Sequence, residues 1–268
     1  MSDDDRNRLL AAFDRQLRGT EGDRLPEGAA MHRDGPLERI TGRSHRGFIG
    51  YRDLGGLDGA ELDELIARQV TCFADRGEAV EWKLYGHDRP ADLADHLHRA
   101  GFRPEPTETV VIAPVASILT TPSPPAGVTL REVTSLADFE RIASLQDAVW
   151  GEDHSHLPAH LAGEQAADLE GTIVVVAEVA GDVVSAAWVQ FPERAEFATL
   201  WGGATHAAWR RRGIYRALVA HRASLAARRG YRYLQVDASD DSRPILERLG
   251  FVAVTTTTPY VWTPPGER

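Results

Sequence analysis

The decamer Trp209-Arg210-Arg211-Arg212-Gly213-Ile214-Tyr215-Arg216-Ala217-Leu218 joins an apolar, strand-like run to an amphipathic, helix-like one. A direct strand–turn–helix junction points to an α/β arrangement. The start of a helix presents unpaired N–H groups and a partial positive charge, so it suits a phosphate. Gly213 lets a ligand approach the backbone, and the arginines around it add charge. The stretch reads as a pyrophosphate cradle, although an ordinary basic helix start on the surface has the same composition.

The surroundings narrow this reading. Residues 196–205 form a strand-like run, and Ile214, Ala217, Leu218 and Leu225 recur at helical spacing up to Arg228-Arg229-Gly230. Residues 231–238 read as a buried strand, 242–249 as a short helix and 252–262 as a final strand. Upstream, 128–133 reads as a strand. Ser135 is placed to cap a helix reaching about Val149, with Leu136, Phe139, Ile142, Ala143 and Leu145 as its apolar positions. A second helix covers 158–169. Strands at 172–179 and 183–191 follow, joined at Gly181-Asp182.

This order of elements, with Arg210, Gly213 and the Leu249-Gly250-Phe251 turn, resembles the GCN5-related N-acetyltransferase (GNAT) superfamily. That family's loop reads Arg/Gln-x-x-Gly-x-Gly/Ala, and Tyr215 stands where it more often has Gly or Ala. The resemblance covers residues 128–263. It implies an α/β (α+β) fold with a central mixed, twisted sheet, a V-shaped splay between two parallel strands, and flanking helices. It also implies acetyl-CoA, or another acyl-CoA, as co-substrate, an amine as acceptor, and no metal. The pantetheine arm is expected between 201–205 and 232–238, close to the backbone at Gly202-Gly203, with Ala204 and Thr205 offering N–H and C=O groups. A bulge in a packed strand would also explain the two glycines. The diphosphate is expected on the turn, with charge from Arg210 and N–H groups of Arg211, Arg212, Gly213, Ile214, Tyr215 and Arg216.

The chemical residues are less defined. Acyl transfer to an amine needs a proton acceptor, donors for the developing oxyanion and a proton for the leaving thiolate. The family's usual acid is a tyrosine at the position held here by Leu246, and Ser239 occupies a common Asn position. Ser239 is therefore a candidate for both cofactor contact and proton donation; Tyr215, Tyr231, Tyr233 or water are the other candidate donors. Asp237 is a candidate base. Trp150, Glu152, Asp153, His154 and Trp201 are candidate acceptor-pocket residues. His154, His156 and His160 have a metal-like spacing but no Cys and no defined fourth ligand, so no metal site is assigned. His221 is expected as a hydrogen-bonded core histidine.

The first half carries a fainter version of the same pattern. Asp58 is placed to cap a helix whose Leu62, Leu65, Ile66, Gln69, Val70 and Phe73 share a face. Residues 79–85 and 108–113 are strand-like, with a helix opened by Pro90 between them. Arg99-Ala100-Gly101-Phe102 parallels Arg248-Leu249-Gly250-Phe251, and each follows a short helix and precedes a Thr-rich strand. The parallel suggests a degenerate GNAT-like half without a basic phosphate turn; Leu54-Gly55-Gly56-Leu57 stands there instead. A chance repeat of a common helix–turn–strand unit would look the same.

The expected layout is thus tandem: an extension at 1–45, a degenerate domain at 46–115, a Pro-rich linker at 116–127 and an acetyltransferase domain at 128–263. Within the extension, 3–17 reads as an exposed helix followed by loop. A chain of 268 residues suits two modest domains. A net charge of −10 argues against nucleic-acid partners, while the basic 210–232 stretch suits a compact polyanion. Only Lys83 is a lysine among 30 basic residues, so no single arginine carries much weight. No run is long enough for a membrane helix, and the lone Cys72 fits a packed thiol in a reducing cytoplasm. A monomer or homodimer is expected. A catalytically silent acyl-CoA-binding or sensing protein is the alternative to an N-acyltransferase.

Overall fold

The structure is a computed structural model and describes residues 2–20, 25, 27–43 and 45–266. In chain order its first elements are α1 (Asp3–Gln16), β1 (Ala30–Asp34), β2 (Leu37–Thr41), β3 (Gly47–Gly50), α2 (Gly59–Arg76), β4 (Val80–Tyr85), α3 (Leu93–Arg99), β5 (Arg103–Pro104) and β6 (Glu108–Pro114). Then come α4 (Val115–Ile118), β7 (Thr129–Val133), α5 (Leu136–Trp150), α6 (Leu157–Ala167), β8 (Thr172–Val179), β9 (Asp182–Gln190) and β10 (Phe197–Thr205). The chain closes with α7 (Ile214–Arg228), β11 (Tyr233–Ala238), α8 (Arg243–Leu249) and β12 (Val252–Trp262). The fold is mixed α/β, as the sequence implies.

Two compact units divide the chain. The first takes residues up to Val110, 238–244 and the chain from Ala253; the second takes 111–237 and 245–252. The first unit's strands run in the order β1-β2-β3-β4-β12, with β5 on β12. β3 and β4 are parallel; β12 runs antiparallel to β4, from Thr257 opposite Tyr85 to Trp262 opposite Val80. Helix α2 connects the parallel pair and buries Leu62, Leu65, Ile66 and Phe73 against Ile49, Val80 and Trp82. Tyr260 and Trp262 of β12 complete that core.

Three expectations change here. The stretch from 253, expected with the second half, falls in the first unit, where Thr257–Trp262 pair with β4 and cover what would otherwise be an open edge. The extension is more than an exposed helix and loop. Helix α1 opens with a Ser2–Asp5 capping box and buries Leu9, Ala12 and Phe13, and Phe13 meets Tyr85 edge to ring at 5.6 Å. The stretch after it contains β1 and β2, with Leu37 and Ile40 buried; residues 21–24, 26 and 44 lie outside the described residues. Finally, the expected linker begins with the short helix α4, whose Val115 and Ile118 are buried, so the unstructured part starts at Leu119.

The second unit orders its strands β6-β11-β10-β9-β8-β7, β6 entering from Val111. Helices α5 and α6 pack Phe139, Ile142, Leu157 and Leu161 against Val174, Val176, Ala186 and Trp188. Ser135 caps α5 as expected, its Oγ accepting the Asp138 N–H at 3.2 Å. The β8–β9 hairpin turns at Ala180-Gly181, both with positive φ, between the paired Val179 and Asp182. That is a two-residue turn centred one position before the expected Gly181-Asp182. Among the described residues, no helix is long and apolar enough to cross a membrane.

Candidate active site

The second unit opens between β10 and β11. These parallel strands are in register only from Phe197–Tyr233 to Thr199–Gln235, yet β10 runs on to Thr205 and β11 to Ala238. Beyond Thr199 the strands part, which is the splay the family resemblance implies. On its other side β10 stays on β9, with a register shift between Trp201 and Ala204. Gly202 and Gly203 form that bulge. Gly202 has a φ of +61°, and a Cβ there would lie 1.7 Å from the Trp188 ring. A Cβ on Gly203 would lie 2.8 Å from the Tyr215 ring. The bulge therefore needs both glycines, each overlain by an aromatic ring.

The bulge carbonyls are held from several elements. Gln146 Nε2 of α5 donates to the Gly202 carbonyl at 2.9 Å. Arg222 of α7 donates through one terminal nitrogen to the Trp188 carbonyl at 3.1 Å and the Trp201 carbonyl at 3.4 Å, and through Nε to Leu218 at 3.2 Å. Arg222 is fully buried, and burial lowers its pKa to about 10. Ser185 Oγ donates to the Ala204 carbonyl at 2.6 Å.

Ala204 and Thr205, expected to serve alike, differ. His206 N–H bonds the Val184 carbonyl at 2.9 Å, so the antiparallel alternation turns the Ala204 backbone toward β9 and the Thr205 N–H and C=O away from it. Of the two, only Thr205 turns its backbone to the gap, and there its N–H is the group on offer, since Arg210 holds its carbonyl.

The turn into α7 follows. A 3₁₀ turn at Ala207–Trp209 precedes Arg210, whose Nε folds back onto the Thr205 carbonyl at 3.1 Å. Arg211 has a φ of +60° and Gly213 one of +87°, a backbone that curls N–H groups toward one side. Arg212 lies over the Trp209 ring at 4.5 Å. Arg211, Arg212, Gly213 and Arg216 are exposed. No side chain caps α7, and no acidic residue stands in its first turn. Its first-turn N–H groups have no intrahelical acceptor, so the positive end is left for an external anion. A Cβ at Gly213 would meet nothing within 4 Å, so there is room over the turn.

The remaining candidates sort as follows. Tyr215 begins α7 and sits against Gly203, beside the buried Arg222 charge. Asp237 shares a face of β11 with Gln235, whose Nε2 donates to Asp237 Oδ1 at 2.7 Å. Ser239 falls in the 238–244 segment of the first unit and caps the turn into α8, accepting from Ser242 N–H at 3.4 Å. Leu246, expected at the family's acid position, is fully buried. Trp150 and Trp201 are exposed; Trp150 Nε1 donates to Gln146 Oε1 at 2.7 Å and Trp201 Nε1 to Thr199 Oγ1 at 2.8 Å. After Trp150, His154 docks on Asp147, and the Asp153 carboxylate accepts from Ser155, which lowers its pKa. Glu152 is exposed in the same loop. Among the described residues no His/Cys/Asp/Glu group could hold a metal. His221 departs from expectation: it is half-buried and bonds Glu132 at 2.9 Å, so it is an edge residue and not a core one.

Gln146 and Arg222 are the residues sequence reasoning missed. Gln146 had a signal, a polar residue on the buried stripe of α5 with Phe139, Ile142 and Ala143. Arg222 had none, because it is one arginine in an arginine-rich helix.

Residues 139–251 match the family model described as the acetyltransferase (GNAT) family. No curated protein matches the chain. Solved structures share the fold along nearly all of it. A GCN5-related N-acetyltransferase from Kribbella flavida superposes with a TM-score of 0.65 at 18% identity, covering 98% of this chain and 95% of that one. One from Sphaerobacter thermophilus gives 0.63 at 17%, covering 86% and 77%. A tandem GNAT protein from the clavulanic acid biosynthesis pathway gives 0.62 at 13%, covering 92% and 86%. Residues 139–251 thus match the acetyltransferase (GNAT) family, and the chain shares the fold of these GNAT structures along nearly all of its length.

Proposed function

We propose that the second unit transfers an acyl group, most simply acetyl, from coenzyme A to an amine by direct attack. One observation carries this reading: the parallel strands part after Thr199–Gln235, and the open edge leads straight to an uncapped, basic helix start. A slot for an extended arm thus ends at a site for its diphosphate. The site's shape fits coenzyme A, with open space over Gly213 and an outward N–H at Thr205, whose carbonyl already accepts from Arg210.

The bound thioester supplies an activated acyl carbon and a thiolate leaving group. The turn N–H groups from Arg211 to Arg216 and the exposed arginines hold the diphosphate. Thr205 fixes the arm, and the bulge, clamped by Gln146 and Arg222, sets the distance to the acceptor side of β10. A neutral amine forms the new C–N bond and the C–S bond breaks. The amine proton leaves to Asp237 or to water, and the thiolate takes a proton from Tyr215. Tyr215 is favoured over Ser239 because its ring lies at the bulge, whereas Ser239 is engaged in capping α8.

The buried Leu246 favours one other reading, a domain that binds acyl-CoA without turnover. Thiol release from acetyl-CoA across an amine panel separates the two. Release with any amine supports transfer; coenzyme A binding by calorimetry with no release from any amine supports the silent binder. The compartment proposed for this activity is the reducing cytoplasm, with the protein acting as monomer or homodimer.

A further inference from the structure

We infer that the acceptor is a monocationic amine with a flat apolar body, received between Trp150 and Trp201; this rests on the acyl-transfer reading above. Three of the chain's six tryptophans gather at the bulge. Trp188 is buried beneath Gly202, while Trp150 and Trp201 are 46% and 38% exposed. Trp201 pairs directly with Trp188 across β9 and β10, so its indole lies on the sheet face covered by α5 and α6. Trp150 ends α5 and is tied to the same bulge through Gln146, which bridges its Nε1 to the Gly202 carbonyl.

Both indole N–H groups are satisfied within the fold, so the rings are held in place. What they present outward is aromatic surface, which attracts a cation through the ring quadrupole and an apolar body through burial. Tryptophan is highly buried on average, so two rings this exposed offer surface that a ligand can use. The charge nearby has the matching sign. Around the end of α5 stand Asp147, Glu152 and Asp153, and Asp237 stands on β11 two residues past Gln235, where the registered stretch with β10 ends.

The same groups argue against a polycation. Asp147 is engaged by His154 and Asp153 by Ser155, so the carboxylates do not form a row of open sites for several ammonium groups. Two rings and a diffuse negative field suit one ammonium on a flat body. As the amine approaches the thioester it must shed its proton, and the same field concentrates the protonated form at the mouth.

The test uses the full chain and intrinsic tryptophan fluorescence, with no coenzyme A present. The probes are 2-phenylethylamine, its uncharged analogue 2-phenylethanol, and spermidine. Phenylethylamine should bind about tenfold tighter than either of the others. Trp150→Ala should remove most of that gain and Trp150→Phe should restore it, with coenzyme A affinity by calorimetry kept in both. Spermidine binding as tightly as phenylethylamine, or Trp150→Ala binding it unchanged while folded by circular dichroism, would overturn the proposal. Tight phenylethylamine binding in a protein that does not bind coenzyme A would instead defeat the acyl-transfer reading and leave the aromatic site standing.

Discussion

The chain contains two parallel strand–helix–strand connections, β3–α2–β4 and β10–α7–β11, and they have opposite interiors. Each pair stays in register for a short stretch, Gly47–Val80 to Ile49–Trp82 in one and Phe197–Tyr233 to Thr199–Gln235 in the other. In the second unit the strands then part beside a glycine bulge. In the first, the space past the registered stretch is filled. Tyr51 and Tyr85 flank the buried Arg18 guanidinium, which lies 5.3 and 4.2 Å from their ring centres. Arg18 donates to Asp88 at 2.6 Å, and the same Asp88 accepts the Tyr51 hydroxyl at 2.6 Å and the Tyr85 N–H at 2.8 Å. The helix starts differ as well. Helix α2 begins behind Asp58, which stands at the expected cap position but makes no cap hydrogen bond, and has Glu61 in its first turn, so two acidic residues stand at its positive end; α7 begins behind Gly213 with none. The same backbone scheme thus makes a slot or a plug according to a handful of side chains, and function follows the side chains.

The largest expected effect comes from pulling the plug. Arg18→Met leaves Asp88 buried beside Tyr51 without its cation, and Arg18 is too deeply buried for water to compensate. Breaking a buried pair from one side costs about 3–5 kcal/mol, so thermal unfolding of the variant should begin well below that of the parent. Coenzyme A stoichiometry should stay at one, because α2 still opens on acidic residues. A second coenzyme A site in the variant would show that the plug alone separates the two halves.

Next comes a matched pair of glycines. Gly56 and Gly213 have φ values of +81° and +87°, and a Cβ at either meets nothing within 4 Å. Gly56→Glu and Gly213→Glu therefore carry the same backbone strain. Only the second places a carboxylate where the diphosphate is proposed to sit. Calorimetry should show coenzyme A binding weakened about 100-fold, near 2.7 kcal/mol, for Gly213→Glu and almost unchanged for Gly56→Glu. Equal losses would mean the turn at 210–216 is not the anion site.

Much of this contrast was legible in the residues, and the part that was not has a physical reason. The basic turn, the strand order from Val128 and the glycine pair at 202–203 are local signals, each readable within a few positions. The plug was not readable, because Arg18, Tyr51, Tyr85 and Asp88 come from four separate stretches and none stands out alone. The pairing of β12 with β4 was hidden for the same reason: a Thr-rich strand at the chain's end suits any open sheet edge, and only the cores of Tyr260 and Trp262 show which. It also bears on any fragment begun within the linker, for example near Pro125. Such a fragment keeps β12 but loses β4, its antiparallel partner, and the near-end strand β6, so insolubility would reflect an exposed edge and say nothing of the acceptor.

A smaller effect tests the open slot's chemistry. Tyr215→Phe keeps the ring on Gly203 and removes only the hydroxyl. Turnover should fall by about 100-fold or more with coenzyme A affinity kept, within the usual yield of a positioned proton donor. Ser239→Ala should leave the rate within about twofold and cost about 1 kcal/mol of stability as a lost helix cap. The reverse pattern would move the donor to Ser239. Leu246→Tyr is a poor restoration of the family's acid, since Leu246 is fully buried and a larger side chain there would strain the core by about 1–3 kcal/mol.

The smallest effect concerns how each unit holds its charges. The first unit has a buried ion pair at Arg18–Asp88; the second has a more exposed one, in which Arg131 of β7 clasps both Asp138 of α5 and Glu178 of β8 at 2.8 Å. Hydrogen bonds from Arg131, and then Ser135, hold the Asp138 pKa down to about 2 against an ordinary 3.8. A carboxyl depressed in the folded state stabilises above its unfolded pKa and loses that stabilisation as the folded group takes up its proton. Asp138 should therefore support the second unit fully above about pH 4 and progressively less toward pH 2. Solvent screening keeps the contribution small, as for other surface pairs. Melting temperatures of Asp138→Asn should lie slightly below the parent at neutral pH and converge with it on acidification. Parallel curves down to pH 2 would mean that the Arg131 clasp adds nothing to the stability of this unit.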